Sequence, residues 1–151
     1  MRSRLLDAKR MDARTPEKVV PMAAKFLKYT IEAMNSKEIR QWNQENICVN
    51  NLIDAVQNAM LNCYDNLVAA DTEPNIYKKL EFVQAAATAL NVTESMYVSL
   101  MDIRWVHLTN KRFIGQSIRE LREAILNWIR FLKKKIRRIE EQAASKSQPK
   151  N

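Results

Sequence analysis

The chain has very little of the residues that make tight turns and metal sites. Its 151 residues include one Gly and four Pro, so an all-β fold and a glycine-rich phosphate-binding loop are excluded. A single histidine, His107, excludes multi-histidine metal sites and paired-histidine mechanisms. The two cysteines, Cys48 and Cys63, make no disulfide framework, and we expect both to be small apolar core residues.

Long apolar runs are also missing. No uncharged stretch approaches the roughly 18 apolar residues that a membrane span needs, and residues 1–10 lack the apolar stretch of a secretory signal. The sequence therefore predicts a soluble, cytoplasmic protein that does not bind membranes.

Apolar residues recur every three or four positions along most of the chain, which predicts an all-α fold. With polar or short connections between them, the helices predict an antiparallel up-and-down four-helix bundle over residues 15–142. We expect a flexible basic arm at 1–14 and a disordered tail at 143–151. The first predicted helix either begins at Thr15 and bends at Pro21 or begins nearer Val20. Three further helices are predicted over 49–70, over about 76–105 and from about Thr109.

The third predicted helix is apolar around much of its circumference. One apolar face runs from Leu80 to Trp105 and a second, beside it, from Phe82 to Ile103. Such a helix is either central in the bundle or faces a partner subunit, and the sequence does not separate the two.

Positive charge is concentrated in two parts of the sequence. The net charge of the chain is +8, which divides into +3 over residues 1–18, −4 over 19–103 and +9 over 104–151. The fourth helix and the N-terminal arm are therefore the basic parts of this protein.

A helical projection places five cations of the fourth helix within about 80° of one another. These candidate nucleic-acid-binding residues are Arg119, Arg122, Arg130, Lys133 and Arg137. Three further cations reinforce them near the end of the helix: Lys134, Lys135 and Arg138. The stripe spans about 27 Å at a rise of 1.5 Å per residue, enough to follow several phosphates. We expect backbone contacts with strong salt dependence and little sequence preference, to RNA or DNA.

The basic helix has two further interpretations, which the sequence leaves open. Charged outer faces are commonly only solvated, and cations near a helix C-terminus relieve the helix dipole, although that effect ends within the last turn. The same surface suits an acidic protein partner. A membrane partner is disfavoured because the opposite face of the helix carries a continuous apolar stripe.

Catalytic patterns are not found. Helical-bundle nucleases of the higher-eukaryote-and-prokaryote nucleotide-binding type have an Arg followed by a His after four to six residues. Arg104 and His107 have two residues between them and do not fit. The Glu-x-x-His pairs of di-metal bundles are also absent from the sequence. We therefore expect no enzymatic activity, no metal and no cofactor.

Three segments resemble bacterial four-helix-bundle proteins of the accessory variability determinant family. Residues 58–70 read NAMLNCYDNLVAA, similar to the family's N-x-A-L-D-x-Y-D-N-L-V-E-A segment. Residues 79–90 resemble its L-x-x-x-Q-x-A-L stretch, and Leu126–Ile129 resemble the small-x-Trp-Ile ending of its last helix. Asn127 stands where the family often has Gly.

The resemblance implies a homopentameric barrel that associates with the reverse transcriptase of a diversity-generating retroelement and with its template RNA. Other relatives are encoded in intervening sequences of ribosomal RNA. The implied function is that of a non-catalytic accessory subunit in error-prone cDNA synthesis. The alternative is a regulatory or antitoxin-like helical module that docks on an acidic protein.

Overall fold

A computed structural model describes residues 18–37, 39, 48–102 and 111–147. These residues form four helices and no strand: α1 (Val19–Met34), α2 (Cys48–Thr72), α3 (Ile76–Asp102) and α4 (Lys111–Ser147). The all-helical prediction is therefore confirmed. No helix in the described ranges has the length and apolar character that crossing a membrane requires.

Prolines mark two helix boundaries. Pro21 lies in the first turn of α1, where a backbone N–H has no intrahelical acceptor, so the proline is compatible with a helix that begins at Val19. Pro74 separates α2 from α3, as predicted. After it, the Asn75 side-chain Oδ1 accepts hydrogen bonds from the backbone N–H groups of Tyr77 (3.0 Å) and Lys78 (3.2 Å), which caps α3.

Each helix packs against the next along the chain, and α1 also meets α4 in the least extensive of these contacts. The contacts between α3 and α4 show opposite directions: Arg122 contacts Glu94, whereas Glu140, further along α4, contacts Tyr77 near the start of α3. The arrangement over the described residues is that of a helical bundle with antiparallel neighbours.

The apolar spacing of α2 and α4 predicts most of the core. In α2 the predicted residues Val56, Met60, Cys63, Leu67 and Ala70 are buried. Ile53 is buried instead of the predicted Leu52, which is half-buried, and the side chain of Val49 lies outside the described residues. In α4 the buried stripe includes Ile114, Ile118, Leu121, Ile125, Trp128 and Leu132. Beyond Leu132 the apolar stripe is no longer fully buried: Ile136 is half-buried and Ile139 is exposed.

Helix α3 buries residues from both of its predicted apolar faces. Val83, Leu90 and Tyr97 come from one face, and Ala86 and Leu100 from the other. Large apolar side chains remain exposed on the outer surface of α3, namely Tyr77, Val92 and Val98. Packing within the bundle thus accounts for most of the apolar surface of α3 but not for all of it.

One predicted boundary differs from the structure, and other predictions fall outside the described residues. Helix α4 continues to Ser147, five residues into the predicted tail, and residues 143–147 are exposed. The sequence EEQAA at 140–144 has high helix propensity, and no breaker follows it before Pro149. The predicted arm and the caps at Thr15 and Thr109 lie outside the described residues.

Candidate nucleic-acid interface

Opposite charges lie on two helices of the bundle. Helix α4 has eleven Lys and Arg against four Glu. Helix α2 has three Asp and no Lys or Arg. Helices α2 and α4 make little or no direct contact, although Asp71 at the end of α2 lines a groove together with Lys135 of α4. Helix α4 provides the candidate surface for a polyanion.

The first two predicted site residues are engaged in local contacts. The Arg122 Nη2 atom lies 2.8 Å from the Glu94 Oε1 atom and donates a second hydrogen bond to Asn91 Oδ1 at 3.1 Å. The Nη1 atom of Arg122 donates to the other Glu94 oxygen at 3.3 Å. Arg119 donates from Nε to the backbone oxygen of Gly115 at 3.3 Å. Arg122 therefore binds α3 and has its charge compensated there.

Arg130 lies at the boundary between the packed and the free part of α4. Its Nη1 atom donates to Asn127 Oδ1 at 2.8 Å, one turn earlier on the same helix. The side chain is exposed. A neutral amide compensates no charge, so Arg130 keeps its full positive charge on the surface.

The remaining five predicted residues form one exposed group, which we call the distal basic segment: Lys133, Lys134, Lys135, Arg137 and Arg138. All five follow Leu132, the last buried residue of α4. In the described ranges, no carboxylate lies within ion-pair distance of any of them. The segment therefore combines high positive charge with free access on several sides of the helix.

An open groove of about 530 Å³ adjoins the distal basic segment. It lies where the end of α2, the start of α3 and α4 meet. Its apolar lining is Pro74, Ile76, Trp128, Phe131, Leu132 and Ile139. Charged side chains also line it: Asp71, Glu73, Lys79 and Lys135.

Among the described helices, α1 contributes no residue to the lining of this groove. Near the start of α1, Met22 and Phe26 share a smaller pocket with Leu121 of α4. Further along α1, Tyr29 packs edge-on against Phe113, with ring centroids 4.8 Å apart. These contacts of α1 lie along the first part of α4, between Phe113 and Leu121, whereas the groove lies between Trp128 and Ile139. The sequence analysis did not select Phe131, because this residue lies beside the apolar stripe of α4 rather than on it. The signal that could have identified it is an aromatic residue between two cations, Arg130 and Lys133.

No catalytic chemistry is apparent in the part of the chain that the structure describes. No group of three His, Cys, Asp or Glu residues could hold a metal ion there. Arg104 and His107 lie outside the described residues, as does the side chain of Cys48. Cys63 is buried as predicted, and desolvation raises the pKa of its thiol to about 12, so it is not a nucleophile at neutral pH.

No protein-family model matches this sequence, and comparisons with curated proteins and with solved structures give no match either.

Proposed function

We propose that this chain is a non-catalytic, RNA-binding accessory subunit of a diversity-generating retroelement reverse transcriptase and that it works as a homo-oligomer. Its distal basic segment binds phosphates of the template RNA or of the cDNA, and its bundle supports the polymerase during error-prone cDNA synthesis.

The distal basic segment is the observation that carries the proposal. The dipole of α4 accounts only for cations in its last turn, which lies well beyond Arg138. Five cations within six positions, with no carboxylate partner among the residues that the structure describes, repel one another, which costs free energy unless a polyanion binds. Backbone phosphates supply that negative charge without requiring base-specific contacts.

An exposed, uncharged surface on α3 supports self-association. Its members recur at helical spacing and are small or apolar: Ala85, Thr88, Val92, Ser95 and Val98. An uncharged stripe with two exposed valines, Val92 and Val98, is compatible with a helix–helix contact with another subunit. The family resemblance suggests five copies.

The role of the distal basic segment is tested by two variants that each remove five positive charges. The distal variant replaces its five residues by Gln. The control variant carries five matched substitutions at exposed cations elsewhere: Lys25→Gln, Lys28→Gln, Lys78→Gln, Lys111→Gln and Arg112→Gln. Size-exclusion chromatography with light scattering, run with a structured RNA, should show complexes for the native chain and the control and none for the distal variant.

The accessory role itself needs the polymerase. The chain should elute together with a retroelement reverse transcriptase and its template RNA and should raise the yield of cDNA, whereas the distal variant should not. A monomer that ignores RNA and polymerase contradicts the proposal and favours an acidic protein as the partner of α4.

A further inference from the structure

Phe131 is an exposed aromatic side chain in a position where exposure is costly. Its side chain is 53% exposed, the highest fraction among the large apolar residues in the described ranges. Trp128 and Leu132, which lie before and after it on α4, are buried. An aromatic ring at the mouth of a groove and outside the core points to a ligand with an apolar, flat surface.

Cations surround this ring at the spacings that bring side chains together on a helix. Lys134 and Lys135 follow Phe131 by three and four positions, and Arg138 follows it by seven. Lys135 lines the same groove as Phe131. A flat ring with positive charge on one flank suits a nucleotide, because bases stack on aromatic rings while their phosphates bind Lys and Arg.

The acidic side chains of the groove limit where the phosphates of a bound strand can lie. Asp71, in the last turn of α2, and Glu73, just after it, line the groove together with Lys135 of α4 and Lys79 of α3. The carboxylates repel phosphates, so we expect the sugar-phosphate backbone to follow α4, which has the larger number of cations. The base then points into the groove towards Trp128 and Pro74. Only an unpaired base can leave its own helix to do this.

We infer that Phe131 is a base-stacking site for single-stranded RNA, with phosphate contacts from Lys134, Lys135 and Arg138. This inference rests on the proposed RNA binding and narrows it to unpaired regions of the RNA. Phosphate contacts alone do not distinguish single strands from duplexes, whereas a stacking ring does.

The test compares an unstructured RNA of about twelve nucleotides with the same strand in a duplex, by fluorescence anisotropy on the full chain. Phe131→Ala should weaken single-strand binding by roughly 5- to 150-fold and change duplex binding by no more than roughly twofold. Phe131→Tyr should retain native affinity because it keeps the ring. Leu126→Ala is the control, since Leu126 is a partly exposed apolar residue on the outer face of α4, and it should bind both RNAs as the native chain does.

Phe131→Leu separates stacking from apolar docking. It keeps the apolar surface but removes the ring, so single-strand binding should fall as it does for Phe131→Ala. Native affinity in this variant, or equal losses on both RNAs in Phe131→Ala, would overturn the stacking site while the proposed RNA binding stands. A native chain that binds neither RNA would overturn the proposed function and this inference together.

Discussion

Arg122 of α4 holds Glu94 of α3 through both oxygens of its carboxylate, at 2.8 and 3.3 Å. The two side chains are 30% and 42% exposed, so the pair lies at the edge of the bundle rather than in its core. This contact lies where α4 packs along α3. It engages the first part of the predicted basic stripe, whereas the distal basic segment makes no such contact in the described ranges.

Removing the pair should cost little stability. Exposed ion pairs contribute about 0.2–1 kcal/mol, and the two-bond geometry here favours the upper end of that range. Chemical denaturation of Arg122→Gln, Glu94→Gln and the double variant measures the coupling between them.

RNA affinity should change less in Arg122→Gln than in Lys133→Gln; the opposite order would show that Arg122 binds phosphate.

A buried hydrogen bond joins the first and third helices. The hydroxyl groups of Thr30 and Tyr97 lie 2.7 Å apart, and both residues are almost fully buried. Thr30→Val keeps the shape of the side chain and removes its hydroxyl, which should lower the free energy of unfolding by about 1–2 kcal/mol. Tyr97→Phe should cost a similar amount, and the double variant less than the two costs added together.

Thr72→Val is the control for this pair. Thr72 is exposed, and its hydroxyl donates to the Val68 and Ala69 backbone oxygens of its own helix. Its substitution should change stability by no more than about 0.5 kcal/mol. If Thr30→Val is equally harmless, the bond between Thr30 and Tyr97 does not stabilise the bundle.

The Cys63 thiol should react only when the protein unfolds. Burial raises its pKa from 9.0 to about 12, so at pH 8 the folded chain has almost no thiolate there. A Cys48→Ser variant leaves Cys63 as the single thiol, and a thiol reagent should then label it at the rate of unfolding. Rapid labelling of the folded protein would contradict this burial.

The same pKa shift makes stability depend on pH. Above pH 9 the unfolded chain loses the Cys63 proton, whereas the folded chain keeps it until about pH 12. The contribution of Cys63 is therefore complete below pH 9 and is lost as the pH rises from 9 to 12. Over that range the free energy of unfolding should fall more steeply in the native chain than in Cys63→Ala.

The end of α4 should open more readily than the rest of the helix. Residues 133–147 bury no side chain, and isolated helical segments of this length are marginal in water. Hydrogen exchange followed by mass spectrometry should show faster exchange there than over 114–132, and RNA should slow it. Equal protection in the free chain would mean that this segment packs against another surface.

Local spacing was sufficient to predict the helices of the described ranges and most of their buried residues. The stripe from Val56 to Leu67 and the break at Pro74 depend only on helical periodicity and on proline geometry. The pairing of Arg122 with Glu94 depends on how α4 lies along α3, which periodicity does not specify. The exposure of Ile139 and the groove beside Phe131 likewise depend on how the helices assemble, which periodicity does not specify.

The salt dependence of RNA binding tests the central claim most directly. Each phosphate contact on a single strand contributes about 0.7 to the slope of log affinity against log salt concentration. The distal variant should therefore lose affinity and have a slope smaller by up to about 3.5, while the control variant keeps nearly the native slope. An unchanged slope in the distal variant would contradict the account, because the distal basic segment would then not be the surface that binds RNA.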